Sequence, residues 1–181
     1  MMKKFLLKNP TLNNTRIKIS ILLSFIYLFQ YSQAQIKTKA TTYLFLSPEC
    51  PLCISYVPLI NKLYNDYQYK GIDFVGVISG TSFKQETISN YRSQYDIKFP
   101  LIVDRTYNIS NQFAAQITPE VVLADSSNNI VYKGRIDNWA FAPGKKRKNA
   151  TEHDLLNALN EYLNGLSIKV KQTKAIGCFI E

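Results

Sequence analysis

Two cysteines two residues apart, Cys50-Pro51-Leu52-Cys53, stand where an apolar β-rich run gives way to a helical repeat. That junction constrains the fold more than any other feature of the chain. Thr41–Leu46 (TTYLFL) is apolar on both faces, as a buried central strand should be. From Pro51 to about Tyr69 the apolar side chains Leu52, Tyr56, Leu59, Ile60, Leu63, Tyr64 and Tyr67 fall on one helical face. Pro51 suits a first turn, where its missing N–H is not needed. Pro58 predicts a kink and Gly71 an end. A thiolate at a helix start is stabilised by free amides and the helix dipole. The position therefore makes Cys50 the exposed, attacking sulfur and Cys53, one turn inside, the resolving one.

The remainder alternates between the two periods. Asp73–Ile78 (DFVGVI) reads as a second buried strand, parallel to the first through a right-handed crossover. Ser82 with Gln85 has the pattern of a capping box opening a helix that runs to about Tyr95. Phe99–Val103 is a short extended piece and Asn108–Phe113 a short helix. Glu120–Ala124 and Ile130–Lys133 make a hairpin across the turn at Asp125–Asn129. Thr151-x-x-Asp154 should cap a last helix, Leu155 to Leu163, closed by Gly165. Strand, helix, strand, helix, then hairpin and helix, imply an α/β fold: a three-layer sandwich with a mixed central sheet flanked by helices.

Charge narrows the class. The chain has 22 basic residues, 13 acidic ones and a net charge of +9. Five of the bases (Lys3, Lys4, Lys8, Arg16, Lys18) lie in the acid-free first 34 residues; without them 17 bases face 13 acids, a net of +4. That balance is ordinary for a soluble domain, and no nucleic-acid motif accompanies it, so no nucleic-acid partner is expected. The same first 34 residues read as a signal peptide: a basic n-region to Lys18, an apolar stretch Ile19–Phe29, then Tyr31-Ser32-Gln33-Ala34. Cleavage after Ala34 would leave Gln35 first; an uncleaved segment would be an anchor, giving membrane contact. Either way the rest faces an oxidising compartment, periplasmic or secreted.

Other uses of C-x-x-C fit less well. A zinc ribbon needs a second Cys or His pair, and covalent haem attachment needs His where Ile54 stands. A structural disulfide would close a tiny loop, with little entropic gain. Redox use remains the favoured reading, with no metal and no organic cofactor, because the sulfurs carry the electrons.

Ile117-Thr118-Pro119 directly precedes the strand Glu120–Ala124. With C-x-x-C upstream, this resembles the thioredoxin superfamily, in which a cis-proline faces the cysteines and the residue before it offers backbone groups to a substrate chain. Thr118 and Pro119 match that position and are the implied substrate-binding residues. The stretch Thr41–Leu163, with its insertion between Gly80 and Gln116, is similar to the redoxin group. Gly134-Arg135-Ile136-Asp137, Lys145–Arg147, Ala150-Thr151-x-x-Asp154-Leu155 and Gly177-Cys178 look like an exported, peroxiredoxin-like subgroup of it. The implied organisation is a signal peptide at 1–34, a thioredoxin-like domain at 36–166 and a C-terminal extension at 167–181 carrying Cys178. The implied activity is thiol-disulfide exchange in the cell envelope, on protein or small-molecule disulfides and thiols, with a redox partner protein.

Departures keep alternatives open. Leu44 stands where thioredoxin buries an Asp, so no proton acceptor for Cys53 is identified, and Glu49 reads as a surface carboxylate. Ser47, three residues before Cys50, fits a thiol peroxidase, but the upstream Pro is missing and Arg92, Arg105 and Arg135 lie in no clear motif. Copper delivery is the other alternative, although thioredoxin-fold copper chaperones separate their cysteines by three residues and add a His. His153 reads as a surface residue and Lys145–Lys148 as a solvated loop or docking surface. Trp139 and Phe141 should cover the core edge, and Arg135 should pair with Asp137. Cys178 lies in the apolar segment Ala175–Ile180, which should pack on the domain; it reads as a buried free thiol, as a third redox or ligand thiol if the tail folds over the face carrying Cys50 and Pro119, or as one half of an intermolecular disulfide.

Overall fold

A computed structural model describes residues 39–180; the signal-peptide reading lies outside them. Lys37–Glu181 is one compact unit. The first strand, β1 (Ala40–Phe45), runs into helix α1 (Pro51–Tyr67), then a 3-10 turn (Gln68–Lys70) and strand β2 (Ile72–Ser79). Helix α2 (Gln85–Gln94), strand β3 (Leu101–Asp104) and the short helix α3 (Asn108–Gln112) follow. Next come β4 (Ile117–Thr118), β5 (Glu120–Asp125), β6 (Ile130–Gly134), the small hairpin β7 (Ala140–Ala142) and β8 (Lys145–Lys146), α4 (Asp154–Leu163) and β9 (Cys178–Phe179).

The central sheet has the order β3-β2-β1-β5-β6. β1 is parallel to β2, β2 to β3, and β5 is antiparallel to both β1 and β6. The mixed sheet expected from the sequence is therefore present, with β1 at its centre. Alternate residues of the strands supply two cores. One holds Leu44, Phe74, Val121 and Leu123 against α1, α2 and α4 through Ile60, Tyr91 and Leu159. The other joins Phe45, Val77 and Val122 to Phe113 and Ile109 of the α3 region and to Ile180 of the tail.

The elements fall close to where the sequence places them, but two expected helix caps and one expected ion pair do not form. α1 runs unbroken through Pro58, whose ring is exposed, so the carbonyl one turn back can turn to water. Its end tightens into the 3-10 turn and closes at Gly71, φ 86°. The capping box at Ser82 does not form. Lys84 is the N-cap of α2, because Phe83 packs on the core and brings Gln85, not Ser82, to the helix start. Thr151 does not cap α4 either: its hydroxyl accepts from Asn138 Nδ2 at 2.8 Å, and His153 takes the cap position. Nor does Arg135 pair with Asp137. Its Nε donates to Asp154 Oδ2 at 2.7 Å and its Nη2 contacts Glu152, while Asp137 accepts from Tyr56 Oη at 2.5 Å.

The segment after α4 returns to the sheet edge. Lys133 donates to the Lys171 carbonyl and accepts from the Thr173 amide, each at 3.0 Å. Thr173 Oγ1 meets Tyr132 Oη at 2.8 Å and accepts from the Arg135 amide at 3.0 Å. Gly134 makes this close approach feasible: at φ +146° a Cβ would stand 2.4 Å from the Thr173 carbonyl oxygen. Gly134→Ala should therefore lower stability by about 1–3 kcal/mol, read as a lower urea midpoint at unchanged slope; an unchanged midpoint would mean that the seat is not close-packed.

Candidate active site

The sheet and α1 bring the two sequence signals to one place. β1 ends at Phe45, the chain turns through Ser47–Glu49, and Cys50 is the N-cap of α1 with Pro51 in the first helical position. The turn is tied down by the Cys50 amide donating to the Ser47 carbonyl at 3.2 Å and the Glu49 amide donating to Ser47 Oγ at 3.3 Å. Ser47 is thus occupied in shaping the turn, and Glu49 is exposed as expected. Across from the turn, β5 pairs with β1 so that Glu120 faces Phe45. This register sets the preceding Thr118–Pro119 peptide, which is cis, beside the cysteines. The Cys50 thiol donates to the Thr118 carbonyl at 3.3 Å.

The tail completes the site. β9 pairs antiparallel with β4, matching Thr118 with Cys178 and Ile117 with Phe179. The Ile180 amide donates to the Gln116 carbonyl at 2.9 Å, and Thr118 Oγ1 donates to the Cys178 carbonyl at 3.4 Å. Cys178 Sγ then lies 2.8 Å from Cys50 Sγ. The segment does fold over the face of Cys50 and Pro119. One expectation is corrected by the same contact: Cys50 is not exposed but 1% accessible, because the tail strand lies across it. A cavity of about 230 Å³ adjoins it, lined among others by Ser47, Glu49, Ser79, Phe83, Thr118 and Phe179.

The sulfurs are electrically unequal. The Cys50 pKa is lowered to about 4, first by the hydrogen bond from the Cys53 thiol, then against burial by Cys178 and by the Cys53 and Leu52 amides of the open first turn. Cys53 is pushed up by burial and by the neighbouring Cys50 charge. Cys178 rises to about 11, by burial and by donating to Cys50. At neutral pH the reduced site therefore holds one thiolate, on Cys50, and two thiols that donate to it.

Tyr91 of α2 was not singled out by its position in the sequence. It is buried, its hydroxyl has no hydrogen-bond partner among the described residues, and its pKa is raised by burial and then by the charges of Cys53 and Cys50. An amphipathic helix in the insertion gives no sign of this; only the burial of Tyr91 in the same core as Cys50 and Cys53 does. His153 lines a separate cleft with Tyr56, Asp137 and Trp139. Among the described residues no three His, Cys, Asp or Glu side chains are arranged to hold a metal ion. Lys145–Lys148 is exposed as expected, with Lys146 Nζ 4.5 Å over the Trp139 ring and Arg147 4.9 Å over Phe141. Trp139 packs against the core as expected, while Phe141 stays exposed beneath Arg147.

Residues 28–148 match the family model of the redoxins, described as Redoxin. The chain belongs to the redoxin family. Over 98 residues it is 26% identical to a thiol-disulfide oxidoreductase ResA of Bacillus cereus, covering 54% of this chain and 56% of that one. The redoxin thus spans about half the length of the curated relatives it matches. A hypothetical protein from Sinorhizobium meliloti 1021 superposes with a TM-score of 0.70 at 26% identity, over 80% of each chain. A thioredoxin-like protein solved in its oxidised form gives 0.54 at 20% identity, over 73% of this chain and 82% of that one. The fold is thioredoxin-like.

The charge pattern is directly measurable. Thiolate absorbance of the reduced redoxin should show one thiolate persisting as pH falls, lost only near pH 4, and no further thiolate until above pH 9. The sign follows from the lowered value: Cys50 keeps its charge throughout the interval in which an ordinary thiol is protonated. Cys50→Ser should remove the acid step; a wild-type titration confined to pH 8–9 would contradict the site.

Proposed function

We propose that this redoxin is a thiol-disulfide oxidoreductase of the cell envelope, working through Cys50 and Cys53. The observation that carries the reading is the position of Cys50 at the start of α1, its sulfur 3.3 Å from the Thr118 carbonyl of the cis Thr118–Pro119 peptide. The similarity to thiol-disulfide oxidoreductases supports it. The envelope assignment rests on the signal-peptide pattern of residues 1–34.

The chemistry follows from the charges. Cys50 thiolate attacks one sulfur of a substrate disulfide; a Cys50–substrate bond forms, the substrate S–S bond breaks, and the departing sulfur leaves as a thiolate that takes up a proton. Cys53 then loses its proton and attacks Cys50 Sγ. The Cys50–Cys53 bond forms and the second substrate sulfur leaves. Two electrons have passed from the dithiol to the substrate, and the same steps reversed oxidise a substrate dithiol. Thr118 and Pro119 form the wall along which a substrate strand pairs, and a partner redox protein resets the pair. No organic cofactor or metal takes part. Tyr91 shares the buried core cluster of Cys50 and Cys53, and its phenol is held neutral by burial and by their charges, so it supplies no base for Cys53.

Peroxide reduction is the weaker reading. Ser47 Oγ accepts from the Glu49 amide, and no arginine lines the Cys50 cavity among the described residues. Arg92 and Arg105 are exposed and Arg135 is engaged by Glu152 and Asp154. Copper delivery gains nothing from His153 in its separate cleft.

Cys53→Ser should trap substrates as mixed disulfides through Cys50, recovered after acid quenching; equal recovery from Cys50→Ser would reverse or abolish the assigned roles. Disulfide reduction should exceed peroxide turnover, and peroxide oxidising Cys50 orders of magnitude faster than a free thiol would overturn that order. N-terminal sequencing of envelope protein should begin at Gln35; a start at Met1 or Met2 on membrane-bound protein would mean an anchor instead.

A further inference from the structure

A substrate strand on the Thr118 wall would need an extended backbone, a sulfur within reach of Cys50, and space for the backbone to approach. The chain's own tail has all three. β9 is antiparallel to β4 with Cys178 matched to Thr118, and the Ile180 amide extends the ladder to the Gln116 carbonyl. Main-chain pairing of this kind is how an exposed strand takes up a peptide. Cys178 Sγ is 2.8 Å from Cys50 Sγ. Gly177 permits the approach: a Cβ there would stand 2.0 Å from the Thr118 carbonyl oxygen and 3.1 Å from the Pro119 nitrogen. The tail is not held by this strand alone, since Lys171 and Thr173 are bonded to β6 some residues earlier. Phe179, 78% accessible, projects away from the core.

We propose that Cys178 is a third exchange thiol and that the C-terminal strand is a tethered substrate mimic, competing with incoming substrate for the Thr118 wall. The proposal rests on the Cys50–Cys53 reading above. In the oxidised redoxin the Cys178 sulfur, as thiolate, attacks Cys50 Sγ. The Cys50–Cys178 bond forms, the Cys50–Cys53 bond breaks, and Cys53 leaves as a thiolate that takes up the proton Cys178 gave up. The redoxin is neither oxidised nor reduced: the disulfide changes partner. In one isomer the tail is locked over Cys50; in the other it is free to leave the wall. A substrate reaches Cys50 by displacing the tail, so the favoured partner is a cysteine on an extended strand with a small residue before it, the pattern of Gly177-Cys178 itself.

Trypsin separates the two isomers. Cys50 and Cys53 share the fragment 40–62, while Cys178 lies alone in 175–181. The full chain is equilibrated in a glutathione redox buffer at low protein concentration, acid-quenched, alkylated and digested without reduction. We expect wild type to give both the internal disulfide of 40–62 and the link between 40–62 and 175–181, the latter above roughly one part in ten, the share that a tenfold disfavoured isomer still holds. Gly177→Val, which drives a side chain into the Thr118 carbonyl, should abolish the link and keep the internal disulfide. Cys53→Ser should give only the link. Internal disulfide alone in wild type, with or without the link in Cys53→Ser, overturns the exchange while the dithiol reading stands. A link that survives unchanged in Gly177→Val overturns the seating of the tail strand. Absence of the internal disulfide from every oxidised sample sinks the dithiol reading and this proposal with it.

Discussion

The negative charge on Cys50 is what the surrounding structure is arranged to hold. A sulfur at the start of a helix meets amides with no partner in the helix, and here one of them is missing because Pro51 fills the first position. The deficit is made up by other thiols. Cys53 and Cys178 both donate to Cys50, and both are raised, first by burial and then by the Cys50 charge they face. In its thiol form Cys50 has the Thr118 carbonyl as acceptor; ionisation forgoes that one contact and engages several donors. The site is therefore a shared proton problem among three sulfurs, and a change at any one shifts the other two.

That arrangement depends on two close backbone approaches far apart in sequence. Gly134 lets the chain after α4 lie against β6 through Thr173, and Gly177 lets the end of the same segment lie against the Thr118–Pro119 peptide. Between them the tail is anchored on the sheet edge before it reaches the cysteines. An apolar seat for Ile180 in the second core holds its end. The tail is in this sense part of the wall around Cys50, and it explains why a sulfur at a helix start is buried. Reactivity at Cys50 then requires either entry through the adjoining cavity or movement of β9, whose short ladder carries little packing of its own.

Much of the fold was legible because its signals are local. The apolar run Thr41–Leu46, the helical face after Pro51 and the turn at Asp125–Asn129 each reflect one period or one turn, and β1, α1 and the β5–β6 hairpin follow them closely. The caps were misread because a cap depends on where neighbouring side chains anchor: Phe83 on the core displaces Ser82, and Asn138 draws Thr151 away from α4. At the site, the cysteines, Thr118, Pro119 and Cys178 were legible as motifs and as apolar sequence around Cys178. The burial of Cys50 was not, since it arises from a strand pairing between residues about 60 apart in sequence. Tyr91 left no signal at all, because its only link to the cysteines is that all three side chains enter one buried core.

On the reading proposed above, Cys50 and Cys53 form one reversible two-electron couple. Equilibration of the full chain across a series of thiol/disulfide buffers, with free thiols counted at each point, tests it most directly. A single transition is expected in which two thiols are lost per chain with a two-electron slope, persisting in Cys178→Ser and disappearing in Cys50→Ser. Thiol counts that do not change across the series, or a transition that Cys50→Ser leaves in place, would contradict it.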